Sequence, residues 1–275
     1  MRKKQKNSFY RGIAVDIFYQ KVYNKDMMKL YEHCKRFNVK YCDVDFKDEL
    51  KVSSVLAYLE EVACSSADEL GFGYAYVKPR GYAFMVTNIC CEFVTPITLS
   101  ENILVKTWPL PPSHVIFGRE YRICAETGEI RVNASSRWCL IDFSTGKLLP
   151  SKTIENQDYS TYNTEKVFEN VKWKIPSFKA EEGELKFVIT IANSEYDHNM
   201  HVNNTRYADY CLNCFSVAEL ASKKLKGFSI SYVKQCKEGE TLKFYRKKGE
   251  NGEYFAQGFN DLGEVVVQSK ITFEE

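Results

Sequence analysis

Val52-Ser53-Ser54-Val55-Leu56-Ala57-Tyr58-Leu59-Glu60-Glu61-Val62-Ala63-Cys64-Ser65-Ser66-Ala67-Asp68-Glu69-Leu70-Gly71 is the stretch on which the fold turns. Its apolar residues Val52, Val55, Leu56, Leu59, Val62, Ala63, Ala67 and Leu70 recur at three and four, the spacing of one face of an α-helix. Ser53 and Ser54 are candidate N-caps and Gly71 a candidate stop. After it the period changes. Segments 83–94, 103–108, 115–124 and 130–142 read as strands, with a turn signal at Glu126-Thr127-Gly128.

The same order of elements recurs. Tyr207, Cys211, Cys214, Phe215, Ala218 and Ala221 keep helical spacing, with Asn203 or Asn204 as cap and Gly227 after the basic end Lys223-Lys224-Leu225-Lys226. Strand candidates follow at 228–233, 241–246, 253–259 and 264–273, separated by Glu250-Asn251-Gly252 and Asp261-Leu262-Gly263. Phe93-Val94 lies 139 residues before Tyr232-Val233, and the same offset carries Glu101, Ile103 and Val105 onto Glu240, Leu242 and Phe244. Residues 151–183, with Pro176 and Glu181-Glu182-Gly183, read as a connector. A long apolar helix followed by hairpin-linked strands is expected to be wrapped by a curled antiparallel sheet. Two such units remove an exposed edge by joining sheet to sheet. The class is α+β.

Composition agrees with a packed interior: 44% hydrophobic, 27% charged, and 14% aromatic residues that favour strands and a roomy apolar core. A net charge of +2 does not suggest a nucleic-acid binder. No run of eighteen apolar residues exists, so no membrane-spanning helix is expected. The 10 cysteines follow no secretory signal and read as reduced thiols of a cytoplasmic protein. Cys211 and Cys214 lack the further ligands a zinc site needs and read as a helix face, so no metal or other cofactor is implied. Residues 1–26 do not have the composition of a transit peptide, and Met27-Met28 is an alternative start.

Only 4 His occur, and His198 and His201 share one short stretch with Asp197, Asn199, Asn203 and Asn204. It lies between an apolar strand, Phe187-Val188-Ile189-Thr190-Ile191, and the start of the second helix. Such a junction collects polar side chains and free backbone N–H groups. Thioester hydrolysis needs an activated water and a stabilised oxyanion, while thiolate leaves readily. Asp or His suits the first task, and Asn side chains with helix-start amides the second.

At this point the sequence resembles the acyl-ACP thioesterases of bacteria and plant plastids. Their mark, Asp-x-Asn-x-His-Val-Asn-Asn followed by Tyr and a helix, stands here as Asp197-His198-Asn199-Met200-His201-Val202-Asn203-Asn204 with Tyr207 beyond. Asp43-Val44-Asp45-Phe46, Leu56 to Glu61, Gly71-Phe72-Gly73 and Trp138 to Asp142 resemble the family's amino-terminal half. The resemblance implies two tandem hotdog domains, each a long helix wrapped by a curved antiparallel sheet, the sheets joined edge to edge. It divides the chain into an extension 1–38, an N-terminal hotdog domain 39–150 forming pocket wall, a linker 151–183 and a catalytic hotdog domain 184–275. It implies release of fatty acid from acyl carrier protein, with Asp197, Asn199 and His201 on the catalytic positions. Cys236 matches a family Cys, and Gln235 replaces the Glu before it.

Gln235 cannot titrate. Either Asp197 or His201 activates the water with Gln235 positioning it, or Cys236 is a nucleophile paired with His201, or activity is weak. One active site per chain is expected, because the matching stretch Asp43 to Leu50 of the first unit has neither His nor Asn. Asn203, Asn204, Val55, Leu59, Val62, Phe84 and Val86 are the expected substrate-binding residues. Lys172 and Lys174 around Trp173, Lys223-Lys224 with Lys226, and Arg246-Lys247-Lys248 are candidate docks for an acidic carrier protein. A homodimer through remaining sheet edges stays open. So do an acyl-CoA hydrolase, a non-catalytic acyl binder and a hotdog dehydratase.

Overall fold

The apolar stripe of the first unit forms helix α1 (Val52–Glu69) in the computed structural model, which describes residues 30–155 and 157–274. Residues 1–26 and the alternative start at Met27-Met28 lie outside the described residues. Val52, Val55, Leu56, Leu59, Val62 and Ala63 are buried as the periodicity requires. Burying each of the larger ones stabilises the fold by roughly 1.5–3 kcal/mol. Neither expected serine caps the helix. The cap is Lys51, whose backbone carbonyl accepts from Val55 N at 2.9 Å while its own N–H is tied to Asp43 O at 2.9 Å. The preceding loop sets the start, and Ser53 falls inside the first turn. Gly71 ends the helix as expected, at φ 80°, where a Cβ would be strained.

Around α1 and a short turn of helix α2 (Tyr74–Val77) run strands β1 (His33–Asn38), β2 (Tyr82–Phe93), β3 (Asn102–Pro109), β4 (Ile116–Ala125), β5 (Ile130–Asp142) and β6 (Leu148–Leu149). The second half holds β7 (Glu184–Thr190), helices α3 (Asn204–Leu212) and α4 (Val217–Ala221), β8 (Leu225–Tyr232), β9 (Thr241–Lys248), β10 (Tyr254–Phe259) and β11 (Val265–Phe273). The expected strands are present. The second helix is not continuous: it breaks at Asn213–Ser216 because Ser216 and Glu219 form a capping box, Glu219 N to Ser216 Oγ at 3.2 Å and Ser216 N to Glu219 Oε2 at 2.8 Å.

Among the described residues the strands make one sheet in the order β1-β3-β4-β5-β2-β8-β11-β10-β9-β7, with β6 paired to β5. The halves are therefore joined edge to edge through antiparallel β2 and β8, where Ile89 faces Ile230. β1 falls within the expected extension, yet it is hydrogen-bonded along β3. α1 packs on β1 and β3, α3 on β10 and β11, and the two helices pack on each other. Residues 151–183 contribute the buried side chains Ile154, Tyr162, Ile175 and Phe178. Phe178 N and O are both held by the buried Gln257 amide, at 3.0 and 2.8 Å. All ten cysteines are free thiols, and no described helix is long and apolar enough to cross a membrane.

Ile230 is fully buried on β8 beside the joint between halves. Ile230→Ala is expected to lower unfolding free energy by about 2–5 kcal/mol. A reduced urea midpoint at unchanged slope would show this, whereas Leu185→Ala, on the exposed side of β7, should stay within about 0.5 kcal/mol.

Candidate active site

The stretch 197–204 is a tight turn feeding a helix. Tyr196 and Val202 pair as an isolated antiparallel bridge. Asp197 N donates to His201 O at 2.8 Å and Met200 N to Asp197 O at 3.1 Å. The Asp197 carboxylate closes the turn: Oδ1 accepts from Asn199 N at 2.8 Å and from His201 N at 3.4 Å. Met200 takes the left-handed conformation, φ 62°. Asn203 then caps α3, its Oδ1 accepting from Thr205 N at 2.8 Å and Thr205 Oγ1 at 2.7 Å. Tyr232 Oη donates to Asn204 O at 3.1 Å, pinning the helix start to β8. The Asn204 N–H has no acceptor among the described residues.

The first half carries a copy of this backbone. Asp45 N donates to Glu49 O at 2.8 Å, Asp48 N to Asp45 O at 3.1 Å, and Asp45 Oδ1 accepts from Lys47 N at 2.8 Å and Glu49 N at 3.3 Å. Asp48 takes φ 58° and Val44 pairs with Leu50. The scaffolds match, but the side chains do not. Where the second half has Asn199 and His201, the first has Lys47 and Glu49, which pair with each other at 2.7 Å.

The 197–204 loop lies against the first half. The His201 ring is 5.8 Å from Phe143, just after β5, and the His198 ring 5.7 Å from Tyr74 on α2. Beside the start of α3 a narrow pocket opens between α1 and the sheet. Leu56, Leu59 and Glu60 of α1 line it with Val86 and Ile89 of β2, Tyr121, Ser136, Trp138, Asn204, Thr205 and Tyr232. Val86 and Ile89 would point to opposite faces of a regular strand. A bulge at Thr87, between Val86 and Asn88, brings both inward. One wall is hydrogen-bonded: Tyr121 Oη to Ser136 Oγ at 3.0 Å, with Trp138 Nε1 donating to the same oxygen at 2.7 Å.

Of the residues expected to bind substrate, Leu59, Val86 and Asn204 line this pocket, and Asn203 holds its helix in place. Val55, Val62 and Phe84 do not line it. Val55 and Val62 occupy the far edge of the α1 stripe inside the main core, and Phe84 packs with Phe72 and Phe117 in a separate cluster. Gln235 is exposed, while Cys236 is buried. Burial pushes the Cys236 thiol up, the Tyr207 hydroxyl draws it back in part, and His201 is not among the groups acting on it. Among the described residues Tyr207 Oη is buried without a hydrogen-bond partner, its phenol pushed up by burial and then by the neighbouring Cys236. Glu60, which also lines the pocket, belongs to the Leu56–Glu61 stretch that carries the resemblance but is not among the expected site residues. Its signal is a carboxylate one helical turn from Leu56, on the edge of an otherwise apolar stripe.

Two family models match the chain: acyl-ACP thioesterase N-terminal domain over residues 30–153 and acyl-ACP thioesterase C-terminal domain over residues 179–275. The chain belongs to the acyl-ACP thioesterase family. It is 21% identical over 248 residues to the chloroplastic acyl-[acyl-carrier-protein] hydrolase FATB2 of Cuphea viscosissima, covering 84% of this chain and 60% of that one. It is 22% identical over 220 residues to the chloroplastic palmitoyl-acyl carrier protein thioesterase of Gossypium hirsutum, covering 76% and 53%. The chain thus spans between half and two thirds of the length of these relatives. An acyl-ACP thioesterase structure from Bacteroides thetaiotaomicron superposes with a TM-score of 0.77 at 23% identity, over 88% of this chain and 98% of that one. The 12:0-ACP thioesterase from Umbellularia californica does so with 0.75 at 15% identity, over 92% and 99%. These neighbours share the hotdog fold of the family, and the Asp197–Asn204 turn lies in the part matched by its C-terminal model.

Removing the Asn203 cap should be felt locally and globally. Asn203→Ala is expected to cost about 1 kcal/mol of stability in urea titrations, and Asn203→Asp only a few tenths.

Proposed function

We propose that this chain hydrolyses the thioester of a fatty acyl group on acyl carrier protein, giving free fatty acid and holo-carrier. The observation that carries the reading is that the Asp197–Asn204 turn leads into the start of α3, where Asn204 lines a narrow pocket between α1 and β2, while Asp197, Asn199 and His201 stand outside its lining. Membership of the family and the names of its relatives support it. The acyl chain enters along Leu56, Leu59, Val86 and Ile89 by parting their side chains, because the pocket as it stands, about 10 Å³, has room for about one water. The thioester carbonyl sits at the helix start, where the Asn204 N–H and the Asn199 side-chain amide are the oxyanion donors. Asp197 and His201 supply proton-transfer capacity within the turn.

Cys236 has a packing role in this reading. Its thiol is buried and pushed up, the opposite of the depressed pKa that a nucleophile needs. Gln235, which cannot titrate, helps at most to orient water. The cytoplasm is the compartment this reading implies. The outer strands β1 and β7 are the edges through which a homodimer would form.

The dock for the acidic carrier is the Lys172-Trp173-Lys174 segment. Lys172 and Lys174 make no ion pair among the described residues, and the Arg137 guanidinium lies 4.5 Å from the Trp173 ring. The other basic groups are partly consumed: Arg246 pairs with Glu219 at 2.8 Å, Lys247 with Glu182 at 2.8 Å and Lys224 with Glu274 at 2.7 Å.

Thiol release from acyl-carrier protein tests the reading. His201→Ala and Asp197→Ala should each lower kcat/KM by about 100-fold or more with the fold retained by circular dichroism, while Cys236→Ala stays within several-fold. A loss on Cys236→Ala equal to that of His201→Ala would establish a thiol nucleophile instead. Charge reversal at Lys172 and Lys174 should lower kcat/KM for the carrier-protein substrate by about 10-fold and spare the matching acyl-CoA. Equal losses on both would remove the dock.

A further inference from the structure

The turn leaves open which group accepts the proton from water, and the fold adds a carboxyl group that the turn does not contain. Glu60 stands on α1, in the other half of the molecule, and lines the same pocket as Asn204 and Thr205. It lies one helical turn beyond Leu56, so it borders the acyl-lined wall. Among the described residues its carboxyl has neither a hydrogen bond nor an ion pair. The groups that act on it are Asp197 and His198 from the turn and Glu61 on its own helix. It acts in turn on Cys64 of α1 and Tyr232 of β8. Burial pushes the Glu60 carboxyl up, Asp197 pushes it the same way, and His198 opposes both. A mostly buried carboxyl without a partner is costly to stability. Here it borders the pocket that the start of α3 also lines.

Three of the rival acceptors are otherwise engaged or unsuited, and His201 is the competitor that remains. Asp197 Oδ1 holds two backbone N–H groups of the turn. Cys236 is buried against Tyr207, and Gln235 carries an amide. The duplicated half gives an internal control. By the register that sets Asp45 on Asp197 and Glu49 on His201, the counterpart of Glu60 on α3 is Leu212, a partly buried core residue. The same helix position is thus a carboxylate on α1 and a leucine on α3.

We propose that Glu60 is the general base of this active site, supplied by the first half to the turn of the second. The proposal rests on the hydrolase reading above. The Glu60 carboxylate takes one proton from water as the water oxygen bonds to the thioester carbonyl carbon. The oxyanion collapses, the carbon–sulfur bond breaks, and the Glu60 carboxylic acid passes its proton to the departing thiolate. Water and thioester become acid and thiol, with Glu60 restored. Because the base form is needed and its pKa is raised, activity falls as pH drops through a value above the ordinary carboxylate range of about 4.3.

The experiment is the pH profile of thiol release from dodecanoyl- and hexadecanoyl-carrier protein by wild type, Glu60→Gln, Glu60→Asp and Asp197→Asn. Wild type that releases no thiol would remove the hydrolase reading, and with it this role. Given an active wild type, Glu60→Gln should lower kcat about 100- to 1,000-fold with KM little changed and abolish the acid limb. Glu60→Asp should recover part of the rate, and Asp197→Asn, which keeps an acceptor oxygen for the turn but removes the charge that pushes Glu60 up, should keep the acid limb and move it to lower pH. Glu60→Gln within about threefold of wild type with its acid limb intact would overturn the proposal. So would an acid limb that disappears with Asp197→Asn instead. If Glu60→Gln does not fold, the limb is read on Glu60→Asp, and an unshifted limb counts against the role.

Discussion

The antiparallel pairing of β2 with β8 is the constraint on which the rest of the molecule depends. Each half alone would leave a strand edge with unpaired N–H and C=O groups, which attracts aggregation or exchange. Pairing the two edges, with Ile89 and Ile230 buried near the joint, satisfies those groups and brings α1 against α3. That contact makes the pocket. Its walls come from α1, β2, β4 and β5 of the first half and from the α3 start and β8 of the second.

Duplication supplies two turns of equal backbone geometry, and divergence decides which can be used. Asp45 and Asp197 do the same structural work, each gathering backbone N–H groups within its turn. The residues around them separate the halves. An ion pair between Lys47 and Glu49 neutralises one turn, whereas Asn199 and His201 keep the other polar. The scaffold is twofold and the proposed chemistry is single. The pocket itself draws on both halves, Glu60 from one and Asn204 with Tyr232 from the other.

Much of the architecture was legible because it rests on local periodicity. The α1 stripe, Gly71 as its stop, the strands after each helix and the Asn203 cap follow from side-chain spacing and backbone preference. Other features were not legible, for physical reasons. β1 is the polar run His33-Cys34-Lys35-Arg36-Phe37-Asn38 at a sheet edge, held by its partner β3 rather than by propensity. The start of α1 is set by the loop before it, so the serines that looked like caps are not. The bulge at Thr87 shifts which β2 residues face inward, so strict alternation could not pick Val86 with Ile89.

The site divides in the same way. The sequence by itself determined the helical and strand elements, their repetition, and the tight polar turn from Asp197 to Asn204, because each depends on neighbours in the chain. Only the tertiary structure decided that Glu60 lines one pocket with Asn204, that Val55, Val62 and Phe84 lie away from it, and that Cys236 is buried against Tyr207. Those relations join residues far apart in the chain, and they exist only once two sheet edges have closed on each other.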